Sequence, residues 1–479
     1  MKLSELAREV SGARLLGGDA EITGLCVDSR VAGAGDLFFC YRGTHSDSHA
    51  FAAEAESRGA CAVVAERETE VNLPQLIVKD GRSALSRIAA AFYGHPERKL
   101  VLVGVTGTNG KTTVANMLRN ILEAGGKRAG VIGTLGASYA SAVVAPSLTT
   151  PDPVCLFALL ADMVRAGTEY CVMEVSAHAL ALKKEIPIFY EVAVFTNLTQ
   201  DHLDFFKDMR AYGEAKKSLF APDRCRFAVL NSDDPFSGCL TERGVPCKSY
   251  GLDAPSDSFA IVRKEDVTGS RVLLNLSDEL CDAEIPMTGR HNVYNALAAA
   301  TAARRLGIGL DAISRGLKET RVDGRLERVG RFRGADIFVD FAHTPDGLEK
   351  SLRALRACCK GRLIALFGCG GNRDRGKRSI MGEVAARLSD FSVLTSDNPR
   401  FEEPISIISE IERGFRAVSN AYTVVEERER AIAYAVGLLG EGDILLVAGK
   451  GGECDQEIMG IKYSYSDKTV IETILGKLQ

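Results

Sequence analysis

One stretch limits what this chain can fold into more than any other: Leu100-Val-Leu-Val-Gly-Val-Thr-Gly-Thr-Asn-Gly-Lys-Thr-Thr113. The apolar run from Leu100 to Val105 reads as a buried strand. A glycine-punctuated turn, Thr106 to Gly110, follows it, and Lys111 opens a segment of helical period, Thr112 to Ala124, closed by Gly125-Gly126. Strand, loop and helix start together make a phosphate cradle. Glycines let backbone N–H groups approach phosphate oxygens with no Cβ in the way, and the helix start adds unpaired N–H groups and the positive end of its dipole. In such a loop Lys111 reaches the outer phosphates and the Thr112 hydroxyl reaches Mg²⁺. Val105 stands where the usual pattern has its first glycine. The alternative is an ordinary glycine-rich turn, and Gly-Lys-Thr-Thr directly after an apolar strand weighs against it.

A chain of 479 residues has room for about three domains. Its 59 basic and 63 acidic residues give a net charge of −4, which argues against a general nucleic-acid or membrane surface. The start, Met1 to Glu9, is an amphipathic helix pattern rather than a signal peptide, and no apolar run is long enough to span a bilayer. Thirteen scattered cysteines without a Cys-x-x-Cys pair read as reduced thiols, so the expected location is the cytoplasm. Cys358-Cys359 sits in a helical pattern and reads as packing.

Residues 1 to about 95 look like a small α/β unit, with strands at Ile22 to Val27, Asp36 to Tyr41 and Ala60 to Ala65, and a helix at Ala50 to Arg58. Two polar turns, Asp28 to Arg30 and Gly43 to Asp47, follow strands, where small-molecule sites in α/β folds tend to lie; on local pattern alone they are loops. Tyr93 to Lys99 is a candidate linker.

Longer β-α alternation begins at Leu100. Ala129 to Thr134 is a strand, Ser147 to Pro153 a loop rich in hydroxyls, and Tyr170 to His178 a strand that carries Glu174 among apolar residues. A buried carboxylate needs a partner; Mg²⁺ or Lys111 would serve. Glu191 to Asp204 runs from strand into a polar loop that holds His202, which by itself is either a surface group or a metal ligand. In the helix pattern Tyr212 to Phe220, Lys216 and Lys217 point in different directions, and on pattern alone each is a solvated lysine. Phe227 to Asn231 is a strand. Gly251 to Glu284 is polar and irregular, a small β insertion at most. Gly289 to Ala303 is an alanine-rich helix with Asn292 and Asn295 on one face. Val322 to Val329 fits a domain junction.

The last part alternates five strands (Ile337 to Phe341, Leu363 to Phe367, Phe391 to Thr395, Ala421 to Val425, Asp443 to Val447) with four helices, a doubly wound and mainly parallel sheet. Glu426 to Arg430 reads as a solvated helix start. Three strands end in polar or glycine-rich loops, Gly368 to Arg373, Ser396 to Arg400 and Gly449 to Glu453. In a parallel sheet these gather on one rim and make a cleft.

These motifs, in this order, resemble those of the Mur ligase family, ATP-dependent amide-forming enzymes of peptidoglycan precursor synthesis. Those carrying the resemblance are Thr106 to Thr113, Met173-Glu-Val-Ser-Ala-His178, Asn197 to Asp204, Tyr212-Gly-Glu-Ala-Lys216, Asp340 to Asp346 and Asp397-Asn-Pro-Arg400. The resemblance covers essentially the whole chain. It implies an α/β protein of three domains: a UDP-sugar-binding domain at 1–97, a central P-loop-type ATPase domain at 98–323 and a C-terminal doubly wound Rossmann-like, amino-acid-binding domain at 324–479.

The resemblance also implies roles residue by residue. Gly107, Thr108, Asn109, Gly110, Lys111, Thr112, Thr113, Asn292, Asn295, Arg325 and Asp340 are expected at the nucleotide. Thr112, Glu174, His202 and a Lys216 carbamylated by CO₂ are expected to hold two Mg²⁺ ions. Val27, Ser29, Thr44, His45, Ser46, Thr149, Thr150, Ser176 and Lys184 are expected at the UDP-sugar-peptide. Arg373, Asp397, Asn398, Pro399, Arg400, Gly449 and Glu453 are expected at the incoming amino acid. Lys111, Glu174, His202 and Lys216 are the expected catalytic set. Three positions depart from the family: Lys184 stands for arginine, Ala177 for a second serine and Gly452 for histidine.

The implied activity is addition of meso-diaminopimelate to the D-glutamate side-chain carboxylate of UDP-N-acetylmuramoyl-L-alanyl-D-glutamate through an acyl phosphate. Cell shape and division would depend on it. A monomer with small-molecule substrates, no nucleic acid and no membrane is expected. The alternatives are lysine addition, a sister ligase of the D-alanyl-D-alanine-adding or folylpolyglutamate type, and a nucleotide-binding scaffold without catalysis.

Overall fold

The computed structural model describes residues 1–43, 46–146 and 148–478. Thr44 and His45 of the expected UDP-sugar turn, and Ser147 of the hydroxyl-rich loop, lie outside the described residues. The chain divides into two units: Met1–Gly104 with Arg128–Glu191 and Ser218–Arg226, and Val105–Lys127 with Val192–Lys217 and Phe227–Gln479.

In the first unit the strands Arg14–Leu16, Gln75–Ile77, Ala62–Ala65, Asp36–Cys40 and Gly24–Cys26 lie in that order in one sheet. Only the Arg14–Leu16 edge is antiparallel. The two-residue period of a strand sends alternate side chains to two separate cores: Leu37, Phe39 and Val64 enter one, and Phe38, Cys40 and Val63 the other. Ala62–Ala65 is therefore buried at every position, as a parallel strand covered on both faces must be.

The same unit pairs Tyr170–Glu174 in parallel with Ala129–Gly133, which continues into the antiparallel strands Gly136–Tyr139 and Ala142–Val144. The run expected as one strand from Tyr170 to His178 ends at Glu174. There Ser176 takes extended backbone and its hydroxyl caps the N–H of Ala179, so Ala177–Ala181 is helical. The candidate linker at Tyr93 to Lys99 contains a 3-10 turn, Pro96–Arg98, with Pro96 and Glu97 buried.

In the second unit Val192–Phe195, Ala228–Asn231, Cys247–Gly251 and the start of Ser258–Asp266 pair in parallel. Ser258–Asp266, Gly269–Leu276 and Glu279–Ile285 then form an antiparallel meander. This is the region whose sequence looks irregular; its order lies in alternation, with Val272, Leu274 and Leu276 buried between less buried neighbours. The helix Lys111–Ala124 packs against Arg290–Arg305 and Leu310–Glu319. A run of buried alanines from Ala298 to Ala300 lets the middle helix sit close to its neighbours.

The C-terminal sheet has six strands in the order Glu327–Phe332, Ala335–Asp340, Ile444–Ala448, Leu363–Phe367, Phe391–Leu394, Tyr422–Val424. All neighbours are parallel except the first pair. The added edge strand, Glu327–Phe332, falls where the sequence reads as a polar junction, because an edge strand needs no continuous apolar run. A hairpin, Asp455–Ile458 with Ile461–Ser464, and a last helix, Asp467–Leu478, follow the sheet. The charge run at Glu426 to Arg430 is not wholly solvated. Four of its five residues are exposed, but Arg428 is buried, because Asp467 supplies the opposite charge. Among the described residues no helix is long and apolar enough to cross a membrane.

Candidate functional site

In the second unit Gly107 to Gly110 links the strand Val101–Thr106 to the helix Lys111–Ala124. Gly110 has a φ of +87°, and a Cβ there would lie 2.5 Å from Asn295 Oδ1, so no larger residue fits the turn. The loop is pinned from outside: Asn197 Oδ1 accepts from the Asn109 N–H at 2.9 Å, and the Thr196 hydroxyl donates to the Asn109 carbonyl at 2.6 Å. Lys111 Nζ folds back to the carbonyls of Gly107 and Thr108, at 2.9 and 2.8 Å. Thr112 and Thr113 are buried, and Thr112 Oγ1 accepts from Arg325 Nη2 at 2.9 Å. The Arg325 guanidinium also stacks 4.3 Å from the Phe341 ring centroid. Asn295 donates to Asn292 at 3.1 Å, which bears out the shared helix face. Asp340 spends both oxygens on the protein, on the N–H groups of Leu326 and Ala342 and the Ser351 hydroxyl, so its direct effect is to fix the backbone beside Arg325.

Lys216 corrects the pattern-based reading of a solvated side chain. It is buried, and its Nζ lies 4.3 Å from the Tyr212 ring centroid. Burial, reinforced by the Lys111 ammonium, holds its pKa well below the ordinary lysine value, although Asp201 pulls the other way. Tyr212 in turn touches the phosphate loop, its hydroxyl 3.3 Å from Thr108 Oγ1. His202 has left-handed backbone, φ 57°, and its Nε2 lies 3.3 Å from Asp201 Oδ2. Asp201 flanks His202 within the Asn197 to Asp204 motif, but the motif assigns it no role of its own. It is buried among His202, His343 and Lys377, with Lys377 Nζ at 3.6 Å. Burial pushes the Asp201 carboxyl up, but the surrounding cations outweigh it and hold it well below the carboxylate range.

In the first unit a chain of hydroxyls surrounds Glu174, which is itself buried. Its Oε1 accepts from the Thr134 N–H at 2.8 Å and its Oε2 from the Thr134 hydroxyl at 3.2 Å. The Thr149 and Thr134 hydroxyls are 3.1 Å apart. Thr150 Oγ1 donates to the Glu174 carbonyl at 2.8 Å and accepts from the Ser176 N–H at 3.0 Å. Thr149, Thr150, Ser176 and Glu174 are thus one network, which Thr134 completes. Lys184 pairs with Asp152 at 2.7 Å. Nearer the start of the chain, Ser29 donates to Glu54 at 2.7 Å, Val27 is 39% exposed, and the Ser46 carbonyl accepts from Gly43.

The C-terminal rim of the second unit assembles the remaining positions. Arg400 has left-handed backbone, φ 51°, held by its N–H to Glu457 O at 3.0 Å and its carbonyl from Met459 N at 2.7 Å. Its Nε donates to Glu457 Oε2 at 3.0 Å and its Nη1 to the Gly371 carbonyl at 2.9 Å. Gly370 makes this route open: a Cβ there would sit 2.8 Å from Arg400 Nη1 and 3.7 Å from Arg373 Cγ, so both arginines border one glycine. Asn398 donates to Glu453 Oε2 at 2.9 Å, and a fully buried Lys450 donates to both Asn398 Oδ1 and Glu453 Oε2 at 2.9 Å. Lys450 lies inside a loop whose glycines drew attention first; only the fold shows its burial. Asp397 is buried beside it. Burial raises the Asp397 pKa, Lys450 and Arg428 outweigh that, and the carboxyl stays below its usual value. Its Oδ2 has no hydrogen-bond partner among the described residues. Buried acceptors normally have a partner, so the unpartnered oxygen marks Asp397 as held by charge, from Lys450 and Arg428, rather than by hydrogen bonds on that side.

Three family models match the chain: the Mur ligase family catalytic domain at residues 21–93, the Mur ligase middle domain at 105–303 and the Mur ligase glutamate ligase domain at 324–451. The UDP-N-acetylmuramoyl-L-alanyl-D-glutamate--2,6-diaminopimelate ligase of Syntrophomonas wolfei is 41% identical over 490 residues, covering 100% of both chains. The Geobacillus kaustophilus protein of the same name is 41% identical over 463 residues, covering 95% of each chain. A solved structure of an enzyme of that name is 29% identical, covers 95% of each chain and superposes with a TM-score of 0.67. With relatives this similar over its whole length, the chain belongs to the Mur ligase family.

Proposed function

We propose that this protein is the ATP-dependent ligase that joins meso-diaminopimelate to the D-glutamate side-chain carboxylate of UDP-N-acetylmuramoyl-L-alanyl-D-glutamate in peptidoglycan precursor synthesis. The observation that carries the choice of amino acid is the rim: Arg400 and Arg373 border one glycine, next to the Asn398–Lys450–Glu453 network. Paired guanidiniums suit a substrate with a second carboxylate, and Glu453 suits an ammonium group. The full-length relatives carry the same activity in their names.

The reaction has two steps. The γ-phosphoryl group of ATP passes to the glutamate carboxylate, giving an acyl phosphate. The incoming amine attacks that carbonyl, and phosphate leaves from a tetrahedral intermediate. Lys111 and the N-terminus of its helix balance phosphate charge, and Asn292 and Asn295 border the nucleotide. Thr149, Thr150, Ser176 and Lys184 take the sugar-peptide, with Val27, Ser29, Thr44, His45 and Ser46 toward the UDP end. Mg²⁺ fits the expected donors on one condition. Thr112 offers a hydroxyl, His202 a nitrogen and Glu174 a carboxylate, but a Lys216 ammonium would repel a cation. Burial beside Lys111 favours the neutral amine, whose nitrogen adds to CO₂ and loses a proton to solvent, giving an anionic carbamate with two oxygens. When bound, Mg²⁺ supplies positive charge to the phosphate oxygens. We place the enzyme in the cytoplasm as a monomer, acting on small molecules without nucleic acid or membrane.

The test is a phosphate-release assay with ATP, Mg²⁺ and the UDP-dipeptide acceptor against a panel of amino acids, with the product weighed by mass spectrometry. Release and a tripeptide product are expected with meso-diaminopimelate, and neither with lysine or D-alanyl-D-alanine. No release with any of them would identify a scaffold.

A further inference from the structure

Arg428 and Asp467 begin two helices, Arg428–Gly437 and Asp467–Leu478, and their side chains are 1% and 0% exposed. They pair through two hydrogen bonds, Nε to Oδ1 and Nη2 to Oδ2, both 2.7 Å. The guanidinium has donors left over, and their targets are informative. Nη2 also donates to the Ala448 carbonyl at 2.9 Å, and Nη1 to the Ser396 carbonyl at 3.3 Å. Ser396 immediately precedes Asp397, and Ala448 immediately precedes Gly449. One side chain therefore ties together the roots of the two loops that carry Asp397 to Arg400 and Gly449 to Glu453. Their parent strands are not direct neighbours: each pairs with Leu363–Phe367 between them, and the two loops begin beyond those ladders, where the Arg428 guanidinium bridges their roots.

A second connection runs alongside. The Tyr465 hydroxyl donates to Asp467 Oδ1 at 3.0 Å, and the Tyr465 ring lies 5.8 Å from Lys450 Nζ, which holds Asn398 and Glu453. A buried ion pair is a poor source of stability, because desolvation offsets most of the attraction, and apolar residues of similar volume often hold a fold as well. Apolar residues cannot donate to two carbonyls.

We propose that Arg428 and Asp467 are positioning residues that set the distance between the two amino-acid-recognition loops. The proposal rests on the reading of those loops as the diaminopimelate site. The test uses Arg428→Met/Asp467→Leu, which removes both members of the ion pair together and leaves Lys450 beside Asp397, and Tyr465→Phe, which removes one hydroxyl and keeps the ion pair. KM is measured for meso-diaminopimelate, ATP and the UDP-dipeptide, together with amide hydrogen exchange of residues 397–400 and 449–453. The double variant is expected to raise KM for diaminopimelate roughly tenfold or more, leave the other two within about twofold, and speed exchange in both loops. Tyr465→Phe is expected to move the same KM and the same amides by a smaller factor. Unchanged exchange in both loops, or an equal rise in all three KM values, overturns the proposal. If the double variant does not fold, an unaltered Tyr465→Phe enzyme overturns it. If the wild-type enzyme does not use diaminopimelate, the amino-acid reading fails, and the exchange measurement alone decides the positioning role.

Discussion

Lys216 Nζ lies 4.3 Å from the centroid of the Tyr212 ring, in a position where the lysine is 1% exposed. The face of a ring attracts an ammonium. Burial acts against the charge more strongly, and the nearby Lys111 ammonium adds to it, so the amine is held ready to lose its proton. Only the neutral amine reacts with CO₂. The arrangement therefore favours the proposed carbamate, at the expense of stability, since a buried lysine held neutral is costly to fold below its unfolded pKa.

Replacing Lys216 separates these two effects. Lys216→Met removes the buried amine and is expected to fold at least as stably as the wild type, while kcat falls about a hundredfold or more. Lys217→Ala is expected to stay within about twofold, because Lys217 is partly exposed and only 4.0 Å from its partner Glu214. Thermal melts and phosphate release on the same preparations check both. Near-normal turnover in Lys216→Met would remove the carbamate from the mechanism.

Thr150 offers a test in the first unit. Its hydroxyl joins the Glu174 carbonyl to the Ser176 backbone, and the residue is buried. Thr150→Val keeps the shape and leaves both groups without that partner, a loss of about 1–3 kcal/mol. KM for the UDP-dipeptide is expected to rise roughly five- to tenfold with KM for ATP unchanged. Equal effects on both substrates would show that the network supports the fold and not the sugar-peptide.

Acid should loosen the C-terminal rim through Glu402. Hydrogen bonds from the buried Arg378 are the main reason its pKa falls to about 2, against the opposing effect of partial burial. The folded pKa is below the ordinary value of 4.5, so the native state favours the charged form and unfolding takes up a proton in acid. The stabilisation is full above about pH 4.5 and is lost as pH falls toward 2; its upper bound is about 3 kcal/mol. Glu402→Gln is expected to be less stable than wild type at pH 7, with the gap narrowing at pH 3 in denaturant titrations. A gap of the same size at both pH values would exclude this linkage.

How much of this was legible in the sequence depends on whether a feature is local. The phosphate loop is local: Gly110 and Lys111 sit between a strand and a helix whose periods can be read directly. So are the five parallel C-terminal strands, each a short, largely apolar run. The edge strand Glu327–Phe332 and the meander through Gly269–Leu276 were less legible, because half of each strand faces outward and dilutes the apolar signal. Burial of Glu174 was legible from the apolar run around it, but burial of basic side chains was not. Lys216, Arg428 and Lys450 look like surface residues until Lys111, Asp467 and Glu453 are placed beside them. The expected role of Lys216 came from the family resemblance, whereas those of Arg428 and Lys450 needed the fold.

The last prediction concerns the choice between meso-diaminopimelate and lysine. The two share an α-amino acid end, and at the far end only diaminopimelate carries a second carboxylate. Arg400 is the guanidinium expected to grip that carboxylate, and it already has protein partners. Glu457 occupies its Nε edge and Gly371 accepts from Nη1, and among the described residues Nη2 has no hydrogen-bond partner. This pre-sets the guanidinium's orientation, so less freedom is lost when a carboxylate binds. It also offsets part of the charge that would repel a lysine ammonium. Arg400→Ala removes a charge-assisted contact of roughly 1.5–3 kcal/mol, and kcat/KM for diaminopimelate should fall about ten- to a hundredfold, with lysine use low or raised. Glu457→Gln keeps the shape and one hydrogen bond but removes the anion, so discrimination against lysine should sharpen. Both variants are compared with wild type by competition, the two amino acids present together and the products separated by mass. An Arg400→Ala enzyme with wild-type kcat/KM for diaminopimelate would show that this guanidinium does not read the distal carboxylate. A wild-type enzyme that accepts lysine as readily would overturn the assignment of diaminopimelate itself.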